Sequence, residues 1–348
     1  MKINSLLFSF LLIILTTGSL DPALAQDNKE NEIMKSFTTS LHATGRGMQF
    51  WYSEEEGGLE KISGVPYEEH NCSNCHVKSC EACHEKKDDV NGGFTVQRVK
   101  SHDVCLKCHF VENMELRKLE KENQSVDVHF QMGMECMDCH SLREMHGDGK
   151  IYNTFQQNGA SDTRCENCHQ ELDATESHTV HNGKLHCNAC HMENSVTCYN
   201  CHLNQGKNKS FTKTGSTFLV NKNDQVTTAS LHTFVTNDRT MIVLAPFFYH
   251  TVMKEGRNCE ECHDTKIVKD IRENKFSPFT WENGKLENVK GVIPVAEVMK
   301  WDLPFLKFEN DKWLLLENDA EPELNYAGFS SPITQEQMIS LGKEQSKK

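Results

Sequence analysis

Apolar residues, basic charge and long hydrophobic runs are all scarce in this chain. Hydrophobic residues fill 37% of its 348 positions and aromatics 8%, against roughly 45–50% apolar in an ordinary soluble domain. The length suits one large domain or two ordinary ones. A chain of that size with so little side-chain carbon to bury needs a substitute core. Lys and Arg number 37 against 50 Asp and Glu, a formal net charge of −13, which excludes a nucleic-acid binder that relies on a basic surface. Only one apolar run approaches spanning length, so a multi-pass membrane protein is excluded as well.

That run is N-terminal. Lys2 supplies a short positive region, Leu6 to Leu15 a compact apolar stretch, and Ala23-Leu24-Ala25 a small-x-small cleavage site before Gln26. This is the pattern of a secretory signal peptide over residues 1–25. Its apolar core falls short of the ~20 residues a retained anchor needs. No cysteine precedes Cys72, so cleavage leaves no thiol to carry a lipid. The mature chain is expected in the periplasm or outside the cell, with no transmembrane anchor.

All sixteen cysteines fall into one pattern. The motifs read Cys72-Ser-Asn-Cys75-His76, Cys80-Glu-Ala-Cys83-His84, Cys105-Leu-Lys-Cys108-His109 and Cys136-Met-Asp-Cys139-His140. Cys165-Glu-Asn-Cys168-His169, Cys187-Asn-Ala-Cys190-His191, Cys198-Tyr-Asn-Cys201-His202 and Cys259-Glu-Glu-Cys262-His263 complete the set. C-x-x-C-H is the attachment sequence of c-type haem. Two thiols three residues apart form thioethers to the vinyl groups on one porphyrin edge, and the next residue sets an imidazole under the iron. Disulfides suit an exported chain with an even cysteine count, but they require no histidine after each pair. With 18 histidines in 348 residues, eight such coincidences have a probability on the order of 10⁻¹⁰. Zinc sites need four ligands apiece and no histidine beside every pair, and iron–sulfur spacings differ again. Eight covalent haems c are therefore expected.

Removing the eight motif histidines leaves ten, as candidates for the second axial ligand. His70 and His186 lie just before the first cysteine of a motif, pinned near their own haem's edge and badly placed to reach over that iron. The remaining eight, His42, His102, His129, His146, His178, His181, His232 and His250, match the number of irons and are the expected distal ligands. Methionine is the competing ligand, and Met132, Met134, Met137 and Met192 cluster near motifs. Filling gaps against the porphyrin faces is the commoner use of such residues. Bis-histidine irons sit at lower potential than His/Met ones.

Seven motifs are crowded between Cys72 and His202, at about 19 residues per haem, too few to build a private hydrophobic core for each. The haems must pack on one another. The expected fold is mainly short α-helices and irregular loops wrapped around a stack of covalent haems, with a small β-rich C-terminal appendage. Four regions follow: the signal peptide (1–25), a haem-dense region with seven haems (26–205), a β-containing segment with distal histidines and the eighth haem (206–263), and a β-rich C-terminal region (264–348). A helix is expected from Phe110 to about Glu122. Strands are expected over Ser216 to Val220, Val226 to Val235 and Met241 to Ala245. Hairpin turns are expected at Glu282-Asn283-Gly284-Lys285 and Glu309-Asn310-Asp311-Lys312, and a terminal helix over Gln335 to Lys347 capped by Thr334.

Eight such motifs on an exported chain resemble the octahaem c-type cytochromes of bacterial respiratory chains, over about Leu41 to His263. The resemblance implies electron transfer with redox partner proteins, other cytochromes or further copies of the chain, and no nucleic acid. It also implies the alternative of an oxidoreductase for hydroxylamine, nitrite or tetrathionate at one open haem. The enzymatic branches mark one haem as different. Nitrite reductases of this type replace one motif histidine by lysine, which none of the eight motifs here does. Hydroxylamine oxidoreductase-like enzymes carry an extended helical C-terminal region that supplies a cross-linking tyrosine, whereas this tail reads as β-rich with only Tyr326. Tetrathionate reductase-like proteins place a lysine over the active haem. The electron carrier is accordingly the leading expectation, and no catalytic residue is assigned.

Overall fold

The computed structural model describes residues 31–69, 76–86, 93–121, 127–173, 175–202, 210–236, 239–317 and 320–343. The expected signal peptide, the first motif's Cys72 and Cys75, and His70 lie outside the described residues. Among those described, no helix is long and apolar enough to cross a membrane.

Among the described residues from Leu41 to His191 the backbone is mostly short helical turns, with one antiparallel pairing of Glu85–Lys86 with Phe94–Thr95. Helices Leu41–Thr44, Arg46–Tyr52, Leu59–Ser63, Leu142–His146 and Glu176–Val180 span four to seven residues, and Phe110–Lys121 spans twelve. Local chemistry sets their ends. Ser40 accepts from Ala43 N and Ser141 from Glu144 N as N-caps, while Gly45 and Gly64 close helices in the left-handed region. Isolated helices shorter than about 12–15 residues are marginal in water, so their order comes from what they pack against.

The β structure is not a small C-terminal appendage to short helices and loops; that expectation is overturned. The largest element is a seven-stranded mixed sheet. Its strands are β1 (Ser195–His202), β2 (Phe211–Lys222), β3 (Gln225–Thr236), β4 (Arg239–Pro246), β5 (Gly291–Pro294), β6 (Glu323–Tyr326) and β7 (Ser330–Ser331). The order is β6-β4-β3-β1-β2-β7, with β5 beside β2, so strands come from each of the three segments read after the signal peptide. The β2–β3 hairpin turns at Asn223 and Asp224, with φ of 50° and 62°, as a two-residue turn of positive φ requires. It pairs from Phe218↔Ala229 to Lys222↔Gln225. Beyond that the hairpin opens and admits β1, antiparallel to β2 (Tyr199↔Phe211) and parallel to β3 (Cys198↔His232).

One face of the sheet carries the main core. Tyr199, Phe218, Val220, Leu231 and Ile242 pack with Phe279 and Leu286 of the hairpin Phe279–Glu282/Lys285–Asn288. On a second cluster, Met241, Val243 and Ala245 receive Ile62 and Trp51 from the N-terminal helices. The scarce apolar residues are thus concentrated in β2 to β4, where strand alternation lets few of them fill a core. Both expected hairpins are present, the second pairing Leu306–Glu309 with Lys312–Leu315. The terminal helix is Gln335–Leu341, capped by Thr334. Phe218 is fully buried, so Phe218→Ala is expected to cost about 3–5 kcal/mol of stability, read as a lower denaturation midpoint at unchanged m-value.

Candidate haem centres

Six of the motifs begin on a helical turn, four of them 3₁₀ and two α. Cys80–Ala82, Cys105–Lys107, Cys136–Cys139, Cys165–Asn167, Cys187–His191 and Cys259–Glu261 are single helical turns. In the second motif Cys83 N and His84 N both donate to Cys80 O, at 3.1 and 2.8 Å, and the eighth repeats this at Cys259 O, at 3.2 and 2.8 Å. Residues three apart on such a turn share a face, so both thiols are turned to one side, as attachment to a single porphyrin edge would require. The seventh motif differs, because it lies in β1. There the pairing register with β3 shifts between Cys198 and Cys201, at Asn200, whose φ is +61°. Such a bulge adds one residue to the alternation and so returns Cys198 and Cys201 to the same face, opposite Tyr199.

Each of those six helical motifs sets its histidine ring against one of the expected distal histidines. The ring centroids lie 5.9 Å apart for His84–His146, 6.3 Å for His109–His42, 6.4 Å for His140–His250, 6.2 Å for His169–His129, 6.3 Å for His191–His178 and 6.2 Å for His263–His181. With metal–imidazole bonds of about 2.0–2.1 Å, two rings on opposite faces of one iron have centroids roughly 6.3 Å apart. The residues therefore present the spacing that a six-coordinate haem iron requires.

The far nitrogen of many of these rings is held as well. Nδ1 of His84 meets Thr95 O at 3.0 Å, His178 Asp173 O at 2.9 Å, His191 Met253 O at 3.4 Å and His263 Ser340 O at 3.2 Å. A carbonyl can only accept, so Nδ1 carries the proton and Nε2 keeps its lone pair for a metal. Carboxylates do the same elsewhere, with His129 on Asp127 at 3.0 Å and His140 on Glu144 at 2.7 Å. Burial would raise the Glu144 carboxyl, but hydrogen bonds from His140, Ser161 and the Thr163 and Asp162 amides hold it well below the usual carboxylate range. Glu144→Ala leaves those donors unpaired and is expected to destabilise the fold by about 3 kcal/mol, measurable by denaturant titration.

His102 and His232 stand apart from these pairs. His102 donates from its backbone N and from Nδ1 to Glu135, at 2.8 and 2.7 Å, and its ring meets Phe130. His232 stacks on Phe234 beside Cys198, and burial pushes its pKa down to about 4. His186 serves as N-cap of its own motif helix, its ring accepting from Asn188 N. Of the methionines, Met132 is 77% exposed, while Met192 is fully buried and accepts from Thr228. His76 lies against Gly45, with its motif cysteines outside the described residues. The ring-orienting groups went unread in the sequence. Asp127 and Glu144, two and four residues from their histidines, left a readable spacing signal, whereas the four carbonyls left none.

Comparison with protein-family models, curated proteins and solved structures yields no match for this chain.

Proposed function

We propose that the chain is an exported multihaem c-type cytochrome that relays electrons between redox partner proteins, with most of its irons held between two histidines. The observation that carries this reading is the set of six ring pairs at 5.9–6.4 Å, each joining a C-x-x-C-H histidine to a histidine outside the motifs. Bound at such a pair, haem c supplies a one-electron iron couple whose potential depends strongly on its axial ligands. The chain's own residues supply the rest. The thiols at each turn would tether the porphyrin, the paired imidazoles would hold the iron, and the acceptors at Nδ1 of His84, His129, His140, His178, His191 and His263 fix the tautomer and orientation of those rings.

Two axial histidines leave no coordination position for a substrate, which favours a carrier over a catalyst at these six sites. The acidic surface, more acidic once haem propionates are added, favours partners that present basic patches and docking that weakens with salt. The decisive test is a haem count together with the EPR spectrum of the ferric protein. Eight haems, all low-spin and unchanged by nitrite, hydroxylamine or cyanide, are expected. One high-spin signal that shifts with a small ligand would make the protein an oxidoreductase, and a haem count near zero would end the reading altogether.

A further inference from the structure

On the haem reading above, we infer that the attachment sites adjoin in the order second, third, fourth, fifth, sixth, eighth, and that the seventh flanks the middle of this row instead of continuing it. Sites are numbered by motif. At most junctions a single short element serves two sites at once, or thiols of consecutive motifs touch.

Helix Leu41–Thr44 packs against helix Leu142–His146. The first carries His42, paired with His109 of the third site, and the second carries His146, paired with His84 of the second. The thiols of Cys105 and Cys136, from the third and fourth motifs, lie beside each other. Helix Phe110–Lys121 spans the same two sites. Glu112 lies 3.7 Å from His109, and one turn on Glu115 accepts from His250 N at 3.0 Å. The fourth and fifth sites meet at two consecutive residues: the Phe130 ring contacts His250, and His129 faces His169. Cys165 and Cys187 join the fifth motif to the sixth, with Glu166 Oε1 3.7 Å from Cys187 Sγ.

The junction that skips a motif is the most tightly specified. His178 and His181 lie three residues apart, on and just after helix Glu176–Val180. The first pairs with His191 of the sixth site and the second with His263 of the eighth. Two positions three apart on a helical turn are neighbours, about 5–6 Å between their Cβ atoms. Arg257 N also donates to Cys190 O at 3.0 Å, two residues before the eighth motif.

The seventh motif is held elsewhere. It lies in β1, two residues beyond Val196, whose carbonyl accepts from Tyr249 OH at 3.0 Å. Val196 and Tyr249 form a cluster with Met192, next to the sixth motif's His191, and with Val111 and Met114 of helix Phe110–Lys121, the helix that spans the third and fourth sites. A relay reading the motifs in chain order would run from the sixth through the seventh to the eighth. Adjacency removes that route and makes the seventh site a side branch.

Iron positions in the fully loaded protein, located by anomalous diffraction at the iron edge, test this directly. The irons of the sixth and eighth sites should be nearest neighbours, and the seventh iron should lie closest to the third or fourth. A seventh iron between the sixth and eighth, or a row broken at helix Glu176–Val180, overturns the order. The double variant Cys198→Ser, Cys201→Ser should lose one haem by mass and leave the other seven iron positions in place. Loss of the eighth iron's contact with the sixth in that variant also counts against the order. A protein that carries almost no iron before any substitution contradicts the functional reading instead, so the two failures are distinguishable.

Discussion

Produced without covalent haem, the chain is expected to keep its sheet and lose most of the helical region before it. The four clusters of buried apolar residues centre on β1 to β4 and the segments packed on them. Among the described residues between Leu41 and Ala160 the buried apolar side chains are few: Tyr52, Ile62, Tyr67, Leu106, Leu116 and Ala160, and Ile62 packs on the sheet. Helices of four to seven residues have no stability of their own, and so polar a segment does not bury enough surface to offset the entropy of ordering it. Hydrogen exchange on the haem-free chain should therefore show opening free energies near zero from about Leu41 to Cys168, and several kcal/mol in β2, β3 and β4. In the loaded protein the helical region should gain protection by a factor of 10³ or more, since about 4 kcal/mol of local stability corresponds to that ratio. Equal protection in both forms would mean that the helices are held by the chain alone, and haem would then be a passenger instead of the substitute core.

The second large effect concerns single sites. His178→Met and His181→Met each replace one member of a pair, the first at His191 and the second at His263. Thioether ligation raises haem potential, and axial ligands span roughly 0.8 V of tuning, so one of eight couples should move up on the order of 100 mV or more while the rest stay clustered. His178 is exposed, and its substitution leaves the buried clusters untouched. The double variant should move two couples, and because the two sites adjoin, their shifts should not be strictly additive. His186→Asn is the control. It keeps an N-cap acceptor at a ring that already accepts from Asn188 N, so the potentiometric titration should match that of the parent. A change with His186→Asn equal to that with His178→Met would reassign the sixth site's distal ligand.

Chemistry that is local in the chain was legible before any fold was known. A C-x-x-C-H turn needs only five consecutive residues, so all eight candidate attachment sites could be read directly, as could both hairpins from their Asn-Gly and Asn-Asp turns. Six of the eight expected distal histidines, from His42 to His250, do face a motif histidine. Which histidine faces which was not legible. His42 meets His109 and His181 meets His263 across long stretches of chain, and nothing in local spacing encodes a contact that packing creates. The size of the sheet escaped for a related reason. β1 is overwritten by a C-x-x-C-H motif, and β5, β6 and β7 are strands of two to four residues that carry no readable alternation until β2 and β4 offer them an edge. Side-chain identity thus specified the chemistry along the chain, whereas strand pairing and helix contact, which depend on residues far apart, specified which groups meet and in what order the sites adjoin.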